Sequence, residues 1–255
     1  MATFVLVHGG AHGGWCWRRV ARLLRAAVHE VYTPTLTGLG ERSHLLGARV
    51  DLDMHVTDIV NLLAYEDLND VILAGHSYGG MVITGVADRL PGRIGHLVFL
   101  DALQPRDWEA MADLVPVILQ VARRTSADGV ELTLLPEERK PSDFGVTDPE
   151  DAWLTGKLAP HPLVCFTQAL RLANEAAVSA IPRTSIYCPV TVAHWPAEAA
   201  ARAIAPERAW AIDTGHDLMI TGSAGADAPQ AGLSGIIGAH RSKGTIDDGS
   251  GVHLG

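Results

Sequence analysis

Gly75-His76-Ser77-Tyr78-Gly79 follows the apolar run Val71-Ile72-Leu73-Ala74 and precedes the helix-like stretch Met81-Val82-Ile83-Thr84-Gly85-Val86-Ala87. A serine in a Gly-x-Ser-x-Gly turn between a strand and a helix sits on a sharp, strained corner. That corner lifts its hydroxyl above the sheet edge, beside the first amides of the helix. Neighbouring chain segments crowd such a turn, so the flanking positions are glycine. A hydroxyl is a weak nucleophile at neutral pH and needs a base to take its proton; the base in turn needs an acid to orient it. Ser77 is therefore the candidate nucleophile.

The base is sought late in the chain, where the histidines are His194, His216, His240 and His253. His216 follows the strand-like Ala209-Trp210-Ala211-Ile212-Asp213 and the breakers Thr214-Gly215, which puts it on a loop at the same sheet edge as Ser77. It is the expected base. His194 is the competitor, whereas His240 and His253 fall in an irregular tail. His76, inside the turn, is expected to point away from the serine. For the acid, Leu97-Val98-Phe99-Leu100-Asp101 ends an apolar run in a carboxylate on the correct edge. A charge there is costly unless it is partnered, so Asp101 is the expected acid. Glu198 is read as opening a helix and Asp107 as capping the segment after Asp101. Asp213 is too close to His216, and Asp217 is read as solvent-facing. Two backbone amides must receive the developing oxyanion. The residue after the nucleophile, Tyr78, supplies one. The other is assigned to Gly10 in His8-Gly9-Gly10-Ala11-His12-Gly13-Gly14, directly after Val5-Leu6-Val7, with Ala11 second. That loop lacks the Gly-x-Gly-x-x-Gly spacing of dinucleotide sites.

The elements that must carry these groups alternate along the chain. Strand-like runs at 3–8, 29–35, 70–76, 95–101, 184–192 and 208–213 are separated by amphipathic stretches near 15–27, 53–64, 79–90 and 197–205. Asp53 is read as the N-cap of 53–64. Such alternation predicts an α/β fold: a mainly parallel sheet of about six strands, flanked by helices. The alternation breaks between residues 104 and 182, a stretch holding Pro105, Pro116, Pro136, Pro141, Pro149, Pro160, Pro162 and Pro182. A structureless loop of that length is improbable. An inserted helical cap over the C-terminal edge of the sheet is expected, with residues 1–103 and 183–221 as the core. Residues 222–255 hold nine of the 26 glycines and read as an irregular tail. Trp15 and Trp17 are read as packing the first helix on the sheet. Trp153 and Ala11 are candidate substrate contacts.

A net charge of −9 with no Lys/Arg-rich run argues against nucleic acid or an anionic membrane as partner. No apolar run approaches the ~20 residues of a membrane span, and the N-terminus does not read as a secretory signal; a cytoplasmic location is expected. Cys16, Cys165 and Cys188 are too far apart for a zinc cluster and read as buried thiols. No metal or cofactor is expected. The oligomeric state is left open, a homodimer being one option.

Taken together, Val5-Leu6-Val7-His8-Gly9-Gly10-Ala11-His12-Gly13-Gly14-Trp15-Cys16-Trp17, Gly75-His76-Ser77-Tyr78-Gly79-Gly80 and Gly215-His216 resemble the α/β-hydrolase superfamily. Within it, residues 3–221 are similar to the group of plant methylesterases, hydroxynitrile lyases and bacterial esterase relatives. The resemblance implies Gly10 as an oxyanion donor and an apolar acyl or alcohol pocket between cap and core. Two departures stand out. The plant members carry the acid after the strand placed here at 184–188, where this chain has none; other superfamily members carry it one strand earlier, at the Asp101 position. The lyases need a lysine beside the histidine, and this chain has Asp217. The expected function is a serine carboxylesterase acting on small, largely apolar or aryl esters through Ser77, His216 and Asp101. The rival readings are cyanohydrin cleavage by the same residues and a non-enzymatic small-molecule receptor.

Overall fold

The computed structural model describes residues 1–120, 123–126, 129–133, 142, 145–146, 153–154, 156–205 and 208–221. The expected tail, 222–255, lies outside the described residues. The described strands are β1 (Thr3–Val7), β2 (Glu30–Tyr32), β3 (Val71–His76), β4 (Ile94–Leu100), β5 (Arg123–Thr125), β6 (Glu131–Thr133), β7 (His161–Pro162), β8 (Arg183–Tyr187) and β9 (Ala209–Ala211). The helices are α1 (Arg18–Ala26), α2 (Leu52–Tyr65), α3 (Gly79–Arg89), α4 (Met111–Leu114), α5 (Val164–Thr167), α6 (Glu175–Ala180), α7 (Pro189–Val192), α8 (Ala197–Ile204) and α9 (Leu218–Thr221).

Six strands form one sheet in the order β2-β1-β3-β4-β8-β9, every pair parallel. Every residue of the central β3 and β4 is buried, because helices cover both faces. The edge strands β2 and β9 are shorter than expected, at three residues each. The strand expected at 184–192 stops at Tyr187, and Pro189 opens α7 instead. A proline has no N–H to lend to a ladder but fits the first turn of a helix. The N-cap of α2 is Asp51, whose carboxylate accepts from the Met54 amide at 2.8 Å. Asp53, expected in that role, lies in the first turn and pairs with Arg89. Trp17 is wholly buried against α1 residues Val20, Ala21 and Leu24, as expected.

Between β4 and β8, the described residues hold short helices and a small antiparallel sheet, β5-β6-β7, that periodicity did not reveal. Strands of two or three residues are too short to show a period. This region shares its core with the main sheet. Met111, Leu114, Cys165, Phe166 and Leu170 belong to the same apolar cluster as Val5, Leu73 and Leu97.

Because the main sheet is parallel, all its strands end on one edge. The segments leaving β1, β3, β4 and β9 therefore converge there. They carry Gly10, Ser77, Asp101 and His216.

Candidate active site

The turn after β3 holds Ser77 with φ +52°, a left-handed conformation that strains a residue with a side chain. The crowding expected at its flanks is present. A Cβ on Gly75 would lie 2.6 Å from the Gly79 carbonyl oxygen, and one on Gly79 would lie 2.8 Å from that of Val7. The Ser77 amide donates to the Leu100 carbonyl, which ties the turn to the end of β4.

The next residue after Leu100 is Asp101, also left-handed at φ +43°. Its side chain is buried and fully engaged. Oδ1 accepts from the Cys188 amide at 3.0 Å, and Oδ2 lies 2.6 Å from His216 Nδ1. A carboxylate can only accept, so Nδ1 carries the proton and Nε2 is left as the basic nitrogen of His216. Glu198 opens α8 and pairs with Arg202. Asp213 is exposed. Asp107 accepts from the Leu172 amide, tying the start of the inserted region to its end rather than capping a helix. His194 donates from Nδ1 to the Val190 carbonyl and sits at the cavity rim.

Ser77, His216 and Gly10 line one cavity of about 460 Å³. His12, His76 and Gly215 share its floor. Its walls are largely apolar, formed by Leu103, Met111, Val115, Val117, Ile118, Phe166, Val190 and Trp195. The sequence pattern did not single out these wall residues, since nothing in a short apolar segment marks the direction in which it faces. Tyr78, whose amide opens α3, is wholly buried with its hydroxyl donating to His55 Nδ1 at 2.9 Å.

The two expected substrate contacts lie elsewhere. Ala11 is fully buried at φ +65°; its amide donates to His161 Nδ1 and its carbonyl accepts from Ala159. Trp153 packs edge-on against Trp15 at 5.4 Å, beneath the Arg18 guanidinium. Trp15 packs against the cluster that joins α1 to the sheet, as expected, and also stacks on His12.

The loop after β1 is gripped by histidines at three successive residues. His8 Nδ1 donates to the Gly9 carbonyl at 2.8 Å, which fixes the peptide plane that carries the Gly10 amide. His12 Nδ1 donates to the Gly10 carbonyl at 2.7 Å, and His161 receives the Ala11 amide at 3.2 Å. His8 Nε2 also accepts from the Leu36 amide, so the ring must be neutral. Burial pushes His8 down to about 3, and holds His55 below and His76 and His161 well below their ordinary values.

Asp217 departs from expectation. It is fully buried rather than solvent-facing, 3.1 Å from His12 Nε2 and 3.8 Å from His76 Nε2. Burial alone would raise its pKa, but His12, His76 and His216 more than offset it and hold the carboxyl below the ordinary range. His76 Nε2 donates to the His216 carbonyl at 2.9 Å, and the ring does reach the cavity floor.

One set of potential metal ligands occurs among the described residues: His55, His161 and Cys165, all buried and within 4.8 Å of one another. Its donors do not suit a cation. His55 spends Nε2 on the Thr37 carbonyl and Nδ1 on Tyr78, and His161 accepts at Nδ1, which leaves its proton on Nε2. Burial also pushes the Cys165 thiol up, away from the thiolate a metal needs. Cys16 and Cys188 are likewise buried, with their thiols pushed up.

No described helix is long and apolar enough to cross a membrane. The sequence profile of the Alpha/beta hydrolase family matches residues 4–229. Carbendazim hydrolyzing esterase of Nocardioides sp. (strain SG-4G) is 42% identical over 68% of this chain and 75% of its own length. Methyl jasmonate esterase 1 of Vitis vinifera is 36% identical over 66% of this chain and 65% of its own. Matches to Arabidopsis thaliana methylesterases 1 and 2 span about 40% of those proteins. An extracellular alpha/beta-hydrolase from a Paenibacillus species shares the fold, with a TM-score of 0.73 at 23% identity over 94% of this chain and 99% of that one. The chain belongs to the alpha/beta hydrolase family, and it is a carboxylic ester hydrolase.

Proposed function

We propose that the protein is a serine carboxylesterase for small, largely apolar or aryl esters. Ser77 attacks the ester carbonyl while His216 takes its proton at Nε2 and returns it to the departing alcohol. Asp101 holds the His216 ring and stabilises the imidazolium. The Gly10 and Tyr78 amides receive the oxyanion, and water then releases the acyl-enzyme through the same histidine. The 2.6 Å Asp101–His216 contact, in a cavity shared by His216 and Ser77, carries this reading. The apolar walls and the cavity of about 460 Å³ favour a compact ester over a polymer. Residues 104–182 act as a cap that supplies part of those walls, through Met111, Val115, Ile118 and Phe166. The named relatives act on carbendazim and on methyl jasmonate, which makes methyl carbamates of aryl amines and methyl esters of alicyclic acids a sensible first panel.

Labelling with an aryl sulfonyl fluoride tests the nucleophile. One adduct on the peptide containing Ser77, with loss of aryl acetate hydrolysis, is expected. Full inhibition with the adduct on another residue overturns the assignment. Cyanohydrin cleavage is the weaker reading, because the buried Asp217 carboxylate beside His216 opposes a cyanide anion. Cyanide release from mandelonitrile at a rate rivalling ester hydrolysis would reverse that order.

A further inference from the structure

The histidines around the oxyanion loop fall into two kinds. His8, His55 and His161 each receive a hydrogen bond at one ring nitrogen, from Leu36, Tyr78 and Ala11. A ring that accepts must be neutral. His12 is placed differently. Its Nδ1 faces the Gly10 carbonyl at 2.7 Å and its Nε2 faces Asp217 Oδ2 at 3.1 Å. A carbonyl and a carboxylate only accept, so this geometry is served by a ring with protons on both nitrogens. His12 and Asp217 are both buried, so water screens the pair little.

The two ends of this pair lie in different parts of the site. His12 holds the carbonyl of Gly10, the proposed oxyanion donor. Asp217 is the covalent neighbour of His216, the proposed base. His76, next to Ser77, donates to the His216 carbonyl and lies 3.8 Å from Asp217 Oδ1. The oxyanion loop, the nucleophile turn and the base loop thus meet at one buried carboxylate.

We propose that His12 and Asp217 form a buried imidazolium–carboxylate strut that sets the distance between the oxyanion loop and the His216 loop. They are positioning residues: they act through Gly10 and His216, and the proposal rests on the serine esterase reading above. A strut of this kind matters most when negative charge builds on the carbonyl oxygen. Its loss should therefore lower kcat and leave ground-state binding nearly intact.

The test uses the full chain with p-nitrophenyl acetate and, as a mimic of the tetrahedral intermediate, an aryl trifluoromethyl ketone. Single variants His12→Gln and Asp217→Asn are expected to lose about 10–100-fold in kcat, with KM within about threefold. Ketone affinity should fall in step with kcat. The double variant should be no worse than the poorer single, because the two residues act as one unit. Removing one partner of a buried pair can unfold a protein, whereas replacing both by apolar residues is tolerated better. His12→Leu/Asp217→Leu is therefore the companion variant, expected to fold and to show the same kcat deficit. Parental kcat in that folded variant overturns the proposal. So do single-variant losses that multiply in the double, or a rise in KM with kcat unchanged. Ser77→Ala, run alongside, separates the two levels. Unchanged turnover in Ser77→Ala overturns the serine reading and the strut with it; a dead Ser77→Ala beside a fully active double-leucine variant overturns the strut alone.

Discussion

The floor of the cavity and its walls are built on different principles. Several polar groups of the floor are fixed by named partners: Asp101 by the Cys188 amide and His216, the Gly9 and Gly10 carbonyls by His8 and His12, and the His216 carbonyl by His76. The walls are apolar side chains, and two of them, Val117 and Val190, remain 58% and 63% exposed. A hydrogen-bonded group is held in direction as well as distance, whereas an apolar wall only fills volume. The floor is therefore suited to chemistry that tolerates little displacement, and the walls to selection among ligands of similar shape.

That difference makes graded predictions. Ser77→Ala should lower aryl ester kcat by about 10⁴-fold or more, with the far-ultraviolet circular dichroism spectrum unchanged. A loss under tenfold would remove the floor from the chemistry. Asp101→Asn keeps the shape but puts an amide beside His216, which favours the wrong ring tautomer. A kcat loss of about 10³–10⁴-fold is expected in steady-state assays, and a loss no larger than a wall substitution would erase the distinction. For the walls, Val117→Ala and Val190→Ala should raise KM for a bulky aryl ester about two- to fivefold, the scale of a partly buried side chain. Their kcat should stay within about twofold, and a large kcat effect would show that the walls position the reacting atoms as well.

A separate expected effect is on stability. His8, held to about 3 by burial, is joined by His55, His76 and His161, all lowered for the same reason. Between the unfolded value near 6.5 and the lower folded values, the unfolded chain binds more protons. Stability therefore falls as pH falls through that window and is unaffected by these groups above it. A fully lowered histidine costs about 2 kcal/mol between pH 6.5 and pH 5. Thermal melts at pH 7 and pH 5 should differ by at least about 5 °C; equal midpoints would contradict the neutral state of these four buried rings. Asp217, held below the ordinary carboxyl range, adds stability that is lost only at still lower pH.

Much of the floor was legible in the chain because local sequence carries it. A Gly-x-Ser-x-Gly turn after an apolar run announces a strained corner, and a carboxylate ending the apolar run Leu97–Leu100 needs a partner. A histidine after the last strand must share that edge if the sheet is parallel. The walls were not legible. Val115, Ile118 and Phe166 sit in short segments whose direction is set by what they pack against, and β5–β7 are too short to show a period. Trp153 looked like a pocket residue by type and instead packs on Trp15.

The sequence by itself determined which groups stand at the ends of parallel strands, because alternating strands and helices bring every strand end to one edge. Only the tertiary structure decided what stands behind them. Asp217 reads as a surface carboxylate next to His216. It is buried because the chain returns across the sheet edge and sets it against His12, more than two hundred residues away. Burial of a charge is a property of the assembled neighbours, and no local pattern in the chain records it.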